Sequence, residues 1–392
     1  MHFAAACAQL HKCKGEVAMT PRERVLCALR HEKTDHTPID LGSCNVSSIN
    51  INAYRNLLTK LGLEDGDIRI MEFASQLVKP REELLRELDI DTRGVFLSKP
   101  KVSKTVFNGE NECTDVWGIT YRRPIGGLYF DVAKSPLEKC ETLEEVMDYQ
   151  FPAIEDIANE EGCAQIAGEI RKNKEHAIVG SFGSSIFMRV QELRGYSQVF
   201  EDMLVDKDIV NYLMDKVLDI RIKLAGMLIN AYSDVLDVVQ IADDVAGQIS
   251  SLVSLESYRE LIKPRTQKLI EFIKKEANVK ILYHCCGNVY NMIDDFVEAG
   301  VDILNPVQVS AAEMGDLKRL KRRFGSQICF WGGIDCQKLL PSASPEEVRR
   351  VAIQTKDILG ENGGYVLSAA HNIQADVPAE NILAMFLAAR EK

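Results

Sequence analysis

The chain has 392 residues, 27% of them charged and 46% hydrophobic, the proportions of a soluble globular protein long enough for one large barrel or two ordinary domains. Its 47 Lys and Arg stand against 58 Asp and Glu, a net charge of −11 with no basic block, which argues against nucleic acid or an anionic membrane as partner. Eleven cysteines at irregular spacing point to reduced thiols and a cytoplasmic address, and no apolar stretch has the length of a bilayer span.

Residues 1–18 read as a disordered extension. The apolar patch from Phe3 to Ala8 has no basic segment ahead of it, and so reads as part of that extension rather than as a signal peptide. Cys7, His11 and Cys13 read as part of a mobile terminus rather than a metal cluster. A single domain is expected over 19–392. It opens with a helix over 20–31, where Thr20 caps, Pro21 suits the first turn and Glu23 adds negative charge. A short strand over 38–41 and helices over 50–61 and 80–88 follow. Between 93 and 132 the texture changes to short β-type runs broken by Asn108-Gly109 and Gly126-Gly127, which predicts an inserted region of antiparallel hairpins. Trp117 within it reads as packing the hairpins onto the body rather than facing a substrate.

After Pro152 the order is regular. Helices over 157–173, 186–194, 206–231, 255–277, 288–299, 313–323 and 345–360 alternate with strands over 177–182, 235–242, 279–283, 301–304, 328–331 and 365–368, and a helix over 378–389 closes the chain. Six strands alternating with helices, plus the strand at 38–41, are the pattern of parallel βαβ units. The expected fold is a (β/α)8 TIM-type barrel carrying the hairpin insertion. No strand is followed by a Gly-x-Gly-x-x-Gly or Walker loop, which argues against nucleotides.

Nearly every strand instead ends in polar, small or metal-competent residues, and in such a barrel these ends meet at one mouth. The strand from Val279 runs into His284-Cys-Cys-Gly287. Residues i and i+2 of a strand share a face, so His284 and Cys286 look one way and Cys285 the other, into packing. An imidazole and a thiolate suit zinc. His371, separated from the last strand by two residues, is the candidate third ligand. Three protein ligands leave a fourth position open, as in catalytic zinc sites. Asp243 and Asp244 are candidates for substrate contact and acid–base work, and Gln308 for hydrogen-bonding a ligand. Trp331, Asp335 and Asn372 at the other strand ends are candidate substrate contacts, with Asp335 equally suited to capping a helix.

Thr20-Pro-Arg-Glu-Arg through Pro38-Ile-Asp40, and the run from Asp244 through His284-Cys-Cys-Gly-Asn288 to Trp331-Gly-Gly-Ile-Asp335, resemble the uroporphyrinogen decarboxylase superfamily over essentially all of residues 19–392. The resemblance implies the barrel. True decarboxylases of that superfamily carry an Arg-rich segment after the first strand to hold substrate carboxylates. Here the segment reads Leu41-Gly-Ser-Cys-Asn-Val-Ser-Ser48, with no Arg before Arg55, so that substrate lacks its clamp. The zinc- and corrinoid-dependent methyltransferase branch carries His-x-Cys on one strand and a distant Cys. His284-Cys285-Cys286 matches the first part, and Ser368-Ala-Ala-His-Asn372 places His371 where the Cys would stand. That branch also tends to have Glu near the position of Gln308.

The resemblance therefore implies a methyltransferase with zinc at His284, Cys286 and His371, and a corrinoid (cobalamin) carried by a separate protein docked over the mouth. Its small substrate would be a methylated compound or a methyl acceptor. Two rivals stand beside it: a metal-free lyase using Asp243 or Asp244 with His371, and a non-catalytic barrel that binds a corrinoid or small ligand. A homodimer suits a barrel of this size, although no surface stripe marks it.

Overall fold

Seven short runs rich in Val, Ile, Leu and aromatic residues form a parallel sheet in the computed structural model, which describes residues 19–171 and 174–391. The expected extension over 1–18 lies outside the described residues. The strands are β1 (Thr92–Phe96), β2 (Ala177–Ser181), β3 (Val238–Ala242), β4 (Lys280–His284), β5 (Ile303–Asn305), β6 (Cys329–Ile334) and β7 (Tyr365–Ala369). Each pairs with its neighbour in chain order, as expected when every crossover is helical. The sheet curls so that one face encloses a narrow core containing Val179, Val238, Leu282, Ile303, Trp331 and Val366. The other face packs on the helices through residues such as Ile281, Tyr283 and Cys285. With both faces covered, the strands are apolar almost throughout.

The sheet is not a closed eight-stranded barrel. The strand expected over 38–41 shrinks to one parallel bridge between Ile39 and Leu367, joined to β1 by the Asp91 N–H to Ile39 carbonyl bond of 3.1 Å. Pro38 has no N–H to give a ladder, and the Ile39 N–H goes to the Asp91 carboxylate, at 2.8 Å. Side chains complete the gap instead. Asp40, buried at the edge of the core, accepts from Thr92 Oγ1 at 2.5 Å and from Trp331 Nε1 at 2.9 Å, tying 38–41 to both β1 and β6.

The helix Pro21–Leu29 opens with a capping box, in which Thr20 Oγ1 accepts from the Glu23 N–H at 3.2 Å and Glu23 Oε2 from the Thr20 N–H at 2.9 Å. Val25 and Leu29 close the lower end of the enclosed core. Arg24 holds the helix there, with Nε 2.7 Å from Asp35 Oδ1 and Nη1 paired with the fully buried Asp91.

The hairpin region differs from expectation at its start. Residues 94–96 of the run 94–97 belong to β1 of the parallel sheet rather than to the insertion, since they pair in parallel with β2. The remaining strands, Val106–Phe107, Glu112–Thr114, Thr120–Arg122 and Asp131–Lys134, form a four-stranded antiparallel sheet, and its outer hairpins reverse at the expected Asn-Gly and Gly-Gly. A second antiparallel sheet of Ile49–Asn50, Arg69–Glu72 and Leu77–Lys79 has runs too short to show alternation. The expected helix over 157–173 divides into Ile154–Ile157 and Glu160–Ile170, and a helix not expected, Tyr196–Val205, follows Phe187–Arg194 across Gly195, whose φ of +89° ends the first. Among the described residues no helix is long and apolar enough to cross a membrane.

Replacing Arg24 by Met leaves the Asp91 carboxylate buried without its counter-ion. The expected loss is about 3–5 kcal/mol of stability, measured as a lower urea midpoint at unchanged slope. Adding Asp91→Asn should recover part of it, because the stranded charge is then gone.

Candidate metal centre and its cavity

β4 delivers the first two groups. Leu282 packs in the enclosed core, so by alternation His284 also points inward, above it at the strand's end. Cys285 points outward into the sheet–helix packing, as its place in the sequence predicts. Beyond the strand, Gly287 turns the chain at φ +94°, where a Cβ would meet the carbonyl oxygens of Ala246 and Gly247, both at 2.6 Å. Only glycine fits that approach. The turn brings Cys286 Sγ to 3.3 Å from His284 Nε2. His371, beyond the end of β7, completes the group: one ligand atom from each of His284, Cys286 and His371 lies within 4.8 Å of the others. The two imidazoles meet edge to face at 5.3 Å.

His284 is held in one orientation. Asn305 Nδ2 donates to the Trp331 carbonyl at 3.2 Å, which turns Asn305 Oδ1 toward His284 Nδ1, 2.6 Å away. Nδ1 must then carry the proton, leaving the Nε2 lone pair directed at Cys286. Asn305 pairs in register with His284 on the adjacent strand.

Burial sets the charge of the group. Desolvation lowers the His284 pKa against the opposing pull of Asp244 and Asn305. It lowers that of His371 to about 3, with His284 adding to the shift. Both imidazoles are therefore neutral near pH 7, the form that ligates metal. Burial and the nearby Asp244 raise the Cys286 thiol well above its usual range. Without a metal the sulfur keeps its proton and bonds to the Nε2 lone pair.

The other candidate residues divide by position. Asp244 lines the cavity beside the two histidines, and its Oδ1 accepts from the Cys286 N–H at 2.8 Å. Asn372 also lines the cavity, with Oδ1 accepting from the Ser48 N–H at 3.1 Å. Gln308 Oε1 accepts from the Gly287 N–H at 2.6 Å and so braces the turn. Asp243 is buried with both oxygens engaged by the N–H groups of Ile186, Phe187 and Met188, at 2.8–3.0 Å, at the start of the helix Phe187–Arg194. Burial raises its pKa to about 6, against the pull of those donors. Asp335 accepts from the N–H groups of Gln337, Lys338 and Leu339, the capping arrangement. Trp331 lies fully buried in the enclosed core, its indole engaged by Asp40.

The cavity holds about 990 Å³, with His284 and His371 in its wall. The antiparallel hairpins form another part of that wall: Phe107, Trp117 and Tyr121 line it alongside Arg189 of the helix Phe187–Arg194. Trp117 is thus both packed, with 4% of its surface exposed, and cavity-lining. Asn305 and Arg189 carry no local sequence signal. Asn305 is recoverable only by aligning the ends of adjacent parallel strands, and Arg189 only from the tertiary position of its helix.

Comparison with known proteins places this geometry in context. The family model described as uroporphyrinogen decarboxylase (URO-D) matches residues 134–392, more than half of the chain. A methylcobamide:CoM methyltransferase MtbA of Methanosarcina mazei is 24% identical over 65% of this chain and 69% of its own length, and the one of Methanosarcina acetivorans is 24% identical over 54% and 57%. A methylated-thiol–coenzyme M methyltransferase of Methanosarcina mazei is 26% identical over 36% of this chain, and the chain spans about a third, 35%, of that relative's length. The solved structure of a methyltransferase from Methanosarcina mazei superposes with a TM-score of 0.65 at 20% identity, covering 95% of this chain and 98% of that one. That likeness is one of fold.

Two outcomes follow from the hydrogen bonds and protonation states. Asn305→Leu frees the His284 ring and should weaken zinc binding by about 10–100-fold, read by competition against a chromophoric chelator. Zinc uptake at pH 7 should release about one proton per ion, from Cys286, so affinity rises with pH. Calorimetry in buffers of different ionisation enthalpy counts that proton.

Proposed function

Since the chain belongs to the uroporphyrinogen decarboxylase family, we propose that it is a zinc-dependent methyltransferase, moving a methyl group between a small substrate or acceptor and a corrinoid held by a separate protein. The observation that carries this reading is the convergence of His284, Cys286 and His371 within 4.8 Å at the wall of a cavity large enough for a small molecule. The donor set fits zinc: two neutral imidazoles, one with its tautomer fixed, and a thiol that metal binding deprotonates. Zinc there would supply Lewis acidity, lowering the pKa of a bound nucleophile or polarising a methylated heteroatom. Methyl transfer needs attacking atom, carbon and leaving atom nearly in line, and the cavity wall supplies that alignment.

The chain's own residues have distinct parts in this reading. Asn305 orients His284, and Gln308 and Gly287 set the turn that places Cys286. Asp244, whose Oδ1 accepts from the Cys286 N–H, stands beside the thiol that gives up its proton as metal enters. Asp243 is the cap that holds the helix bearing Arg189 against the cavity. Trp331 and Asp335 support strand β6 and the loop beyond it, and Asn372 ties the His371 loop to Ser48. With two imidazoles and one thiolate the site is less electron-rich than a His-Cys₂ site, which favours oxygen or nitrogen substrates. Residues 19–392 act as one domain, and the corrinoid protein docks over the mouth formed by the strand ends. The nine described cysteines are all free thiols, in keeping with a reducing, cytoplasmic compartment. A lyase using Asp243 as acid or base is disfavoured, since both its oxygens are engaged by backbone donors.

Elemental analysis of protein purified without a metal-chelating tag should find about one zinc per chain, lost in Cys286→Ala and His371→Ala and retained in His371→Cys. Demethylation of free methylcobalamin by candidate thiol, alcohol and amine acceptors, followed by its visible spectrum, should fall at least about a hundredfold on chelation and return with zinc. Full activity in metal-free, folded protein would refute the zinc mechanism.

A further inference from the structure

Among the described residues, the buried polar side chains of the cavity wall beside His284 are those of Ser184, Gln240 and Asn372. In each the oxygen is occupied by a donor of the protein. Gln240 points inward from β3, as Val238 does two residues earlier, and its Oε1 accepts at 2.7 Å from the hydroxyl of Ser181, its partner in register on β2. Ser184 Oγ accepts from the Ala242 N–H at 2.9 Å, and Asn372 Oδ1 from the Ser48 N–H at 3.1 Å. The protons on the other side of these groups, the amide NH₂ of Gln240 and of Asn372 and the Ser184 hydroxyl, go to no acceptor among the described residues. Fixing the oxygen of a carboxamide turns its NH₂ the opposite way, so Gln240 and Asn372, only 3% and 4% exposed, present that NH₂ to the cavity. Both stand close to the triad: Asn372 follows His371 directly, and Gln240 lies in register with Leu282, one inward residue below His284. A buried donor left unpaired is costly, and here the acceptor has to come from what fills the cavity.

We propose that Gln240 and Asn372, with Ser184, form a subsite for an uncharged oxygen, that of an ether, hydroxyl or carbonyl group, on the small molecule whose heteroatom reaches His284, Cys286 and His371. The proposal rests on the reading of that triad as the reacting end. Groups that can only donate select an atom that accepts, and a methylene in the same place leaves them unpaired. A wall built to hydrogen-bond an oxygen discriminates against the analogue lacking it far more strongly than an apolar wall discriminates by size. The Asp244 carboxylate, in the same wall beside the triad, repels a full negative charge and restricts the class to uncharged oxygens. Gln240 and Asn372 are thus specificity-determining residues: they hold the oxygen, and so decide which atom of the molecule faces the triad.

Ligand-observed NMR titration with thiols matched in length tests this: 2-methoxyethanethiol against 1-butanethiol, and 2-mercaptoethanol against 1-propanethiol. Each pair is measured on zinc-loaded and on chelator-stripped protein. The oxygen-bearing member should bind about tenfold tighter or better in both states. Gln240→Met, close in volume, should lower that ratio about 3–10-fold. Gln240→Glu should remove the ether preference and keep the hydroxyl preference, because a carboxylate accepts from a hydroxyl and repels an ether oxygen; a merely structural role for Gln240 would not separate the two. Equal binding of oxygen and methylene members by the wild type overturns the proposal, and that comparison decides it even if the variants fail to fold. A preference confined to zinc-loaded protein also overturns it, since the oxygen would then be on the metal. Binding of 3-mercaptopropionate about tenfold tighter than 3-mercaptopropionamide overturns the assignment to an uncharged oxygen. A preference that survives stripping, in a protein that as purified holds no zinc stoichiometrically, leaves the subsite standing and refutes the triad reading instead.

Discussion

The buried hydrogen bond from His284 Nδ1 to Asn305 Oδ1 is the contact on which the candidate centre depends. At 2.6 Å, with the amide anchored in turn on the Trp331 carbonyl at 3.2 Å, it settles both the ring plane and the tautomer of His284. Everything else at the centre is built outward from that ring. Cys286 reaches it because Gly287 can turn where no side chain fits, and His371 meets it edge to face from the far end of the sheet. The bond exists because β4 and β5 run parallel with His284 opposite Asn305, so the register of two strands is also the geometry of the site.

Below the centre the same economy of polar groups holds the sheet together. Asp40 and Asp91 do with side chains what a continuous eighth strand would do with backbone. Asp40 takes donors from Thr92 and Trp331, and Asp91 takes the Ile39 N–H and the Arg24 guanidinium. Their burial makes them costly to strand, and their satisfied hydrogen bonds make them stabilising as a set. Trp331, which the sequence places at a strand end facing a substrate, is drawn into this network beneath the cavity.

Above the centre the charge pattern of the cavity complements its chemistry. The triad offers uncharged imidazoles and a protonated thiol, all shaped by desolvation. The hairpin sheet contributes Trp117, and the helices behind it contribute Arg189 and Arg221 around that ring. One end of the cavity thus gathers donors suited to a soft or borderline metal, and the other sets Arg189 against the carboxylates of Asp115 and Glu192.

Much of the fold was legible along the chain. Apolar runs ending in polar residues, separated by helical periodicity, are local patterns, and they located six of the seven parallel strands and the helix start capped by Thr20. His284, Cys285 and Cys286 divided correctly between faces because alternation in a strand is a local rule. The sequence could not show that 94–96 joins the parallel sheet, that 38–41 gives its N–H to a side chain, or that Asp243 caps a helix more than fifty residues earlier, because each depends on which distant segment lies alongside. The same holds for the two arginines. Their types and positions are plain in the sequence, but that Arg189 faces Glu192 and Asp115 while Arg221 forms no ion pair among the described residues is a property of what surrounds them, and only the tertiary structure decides that.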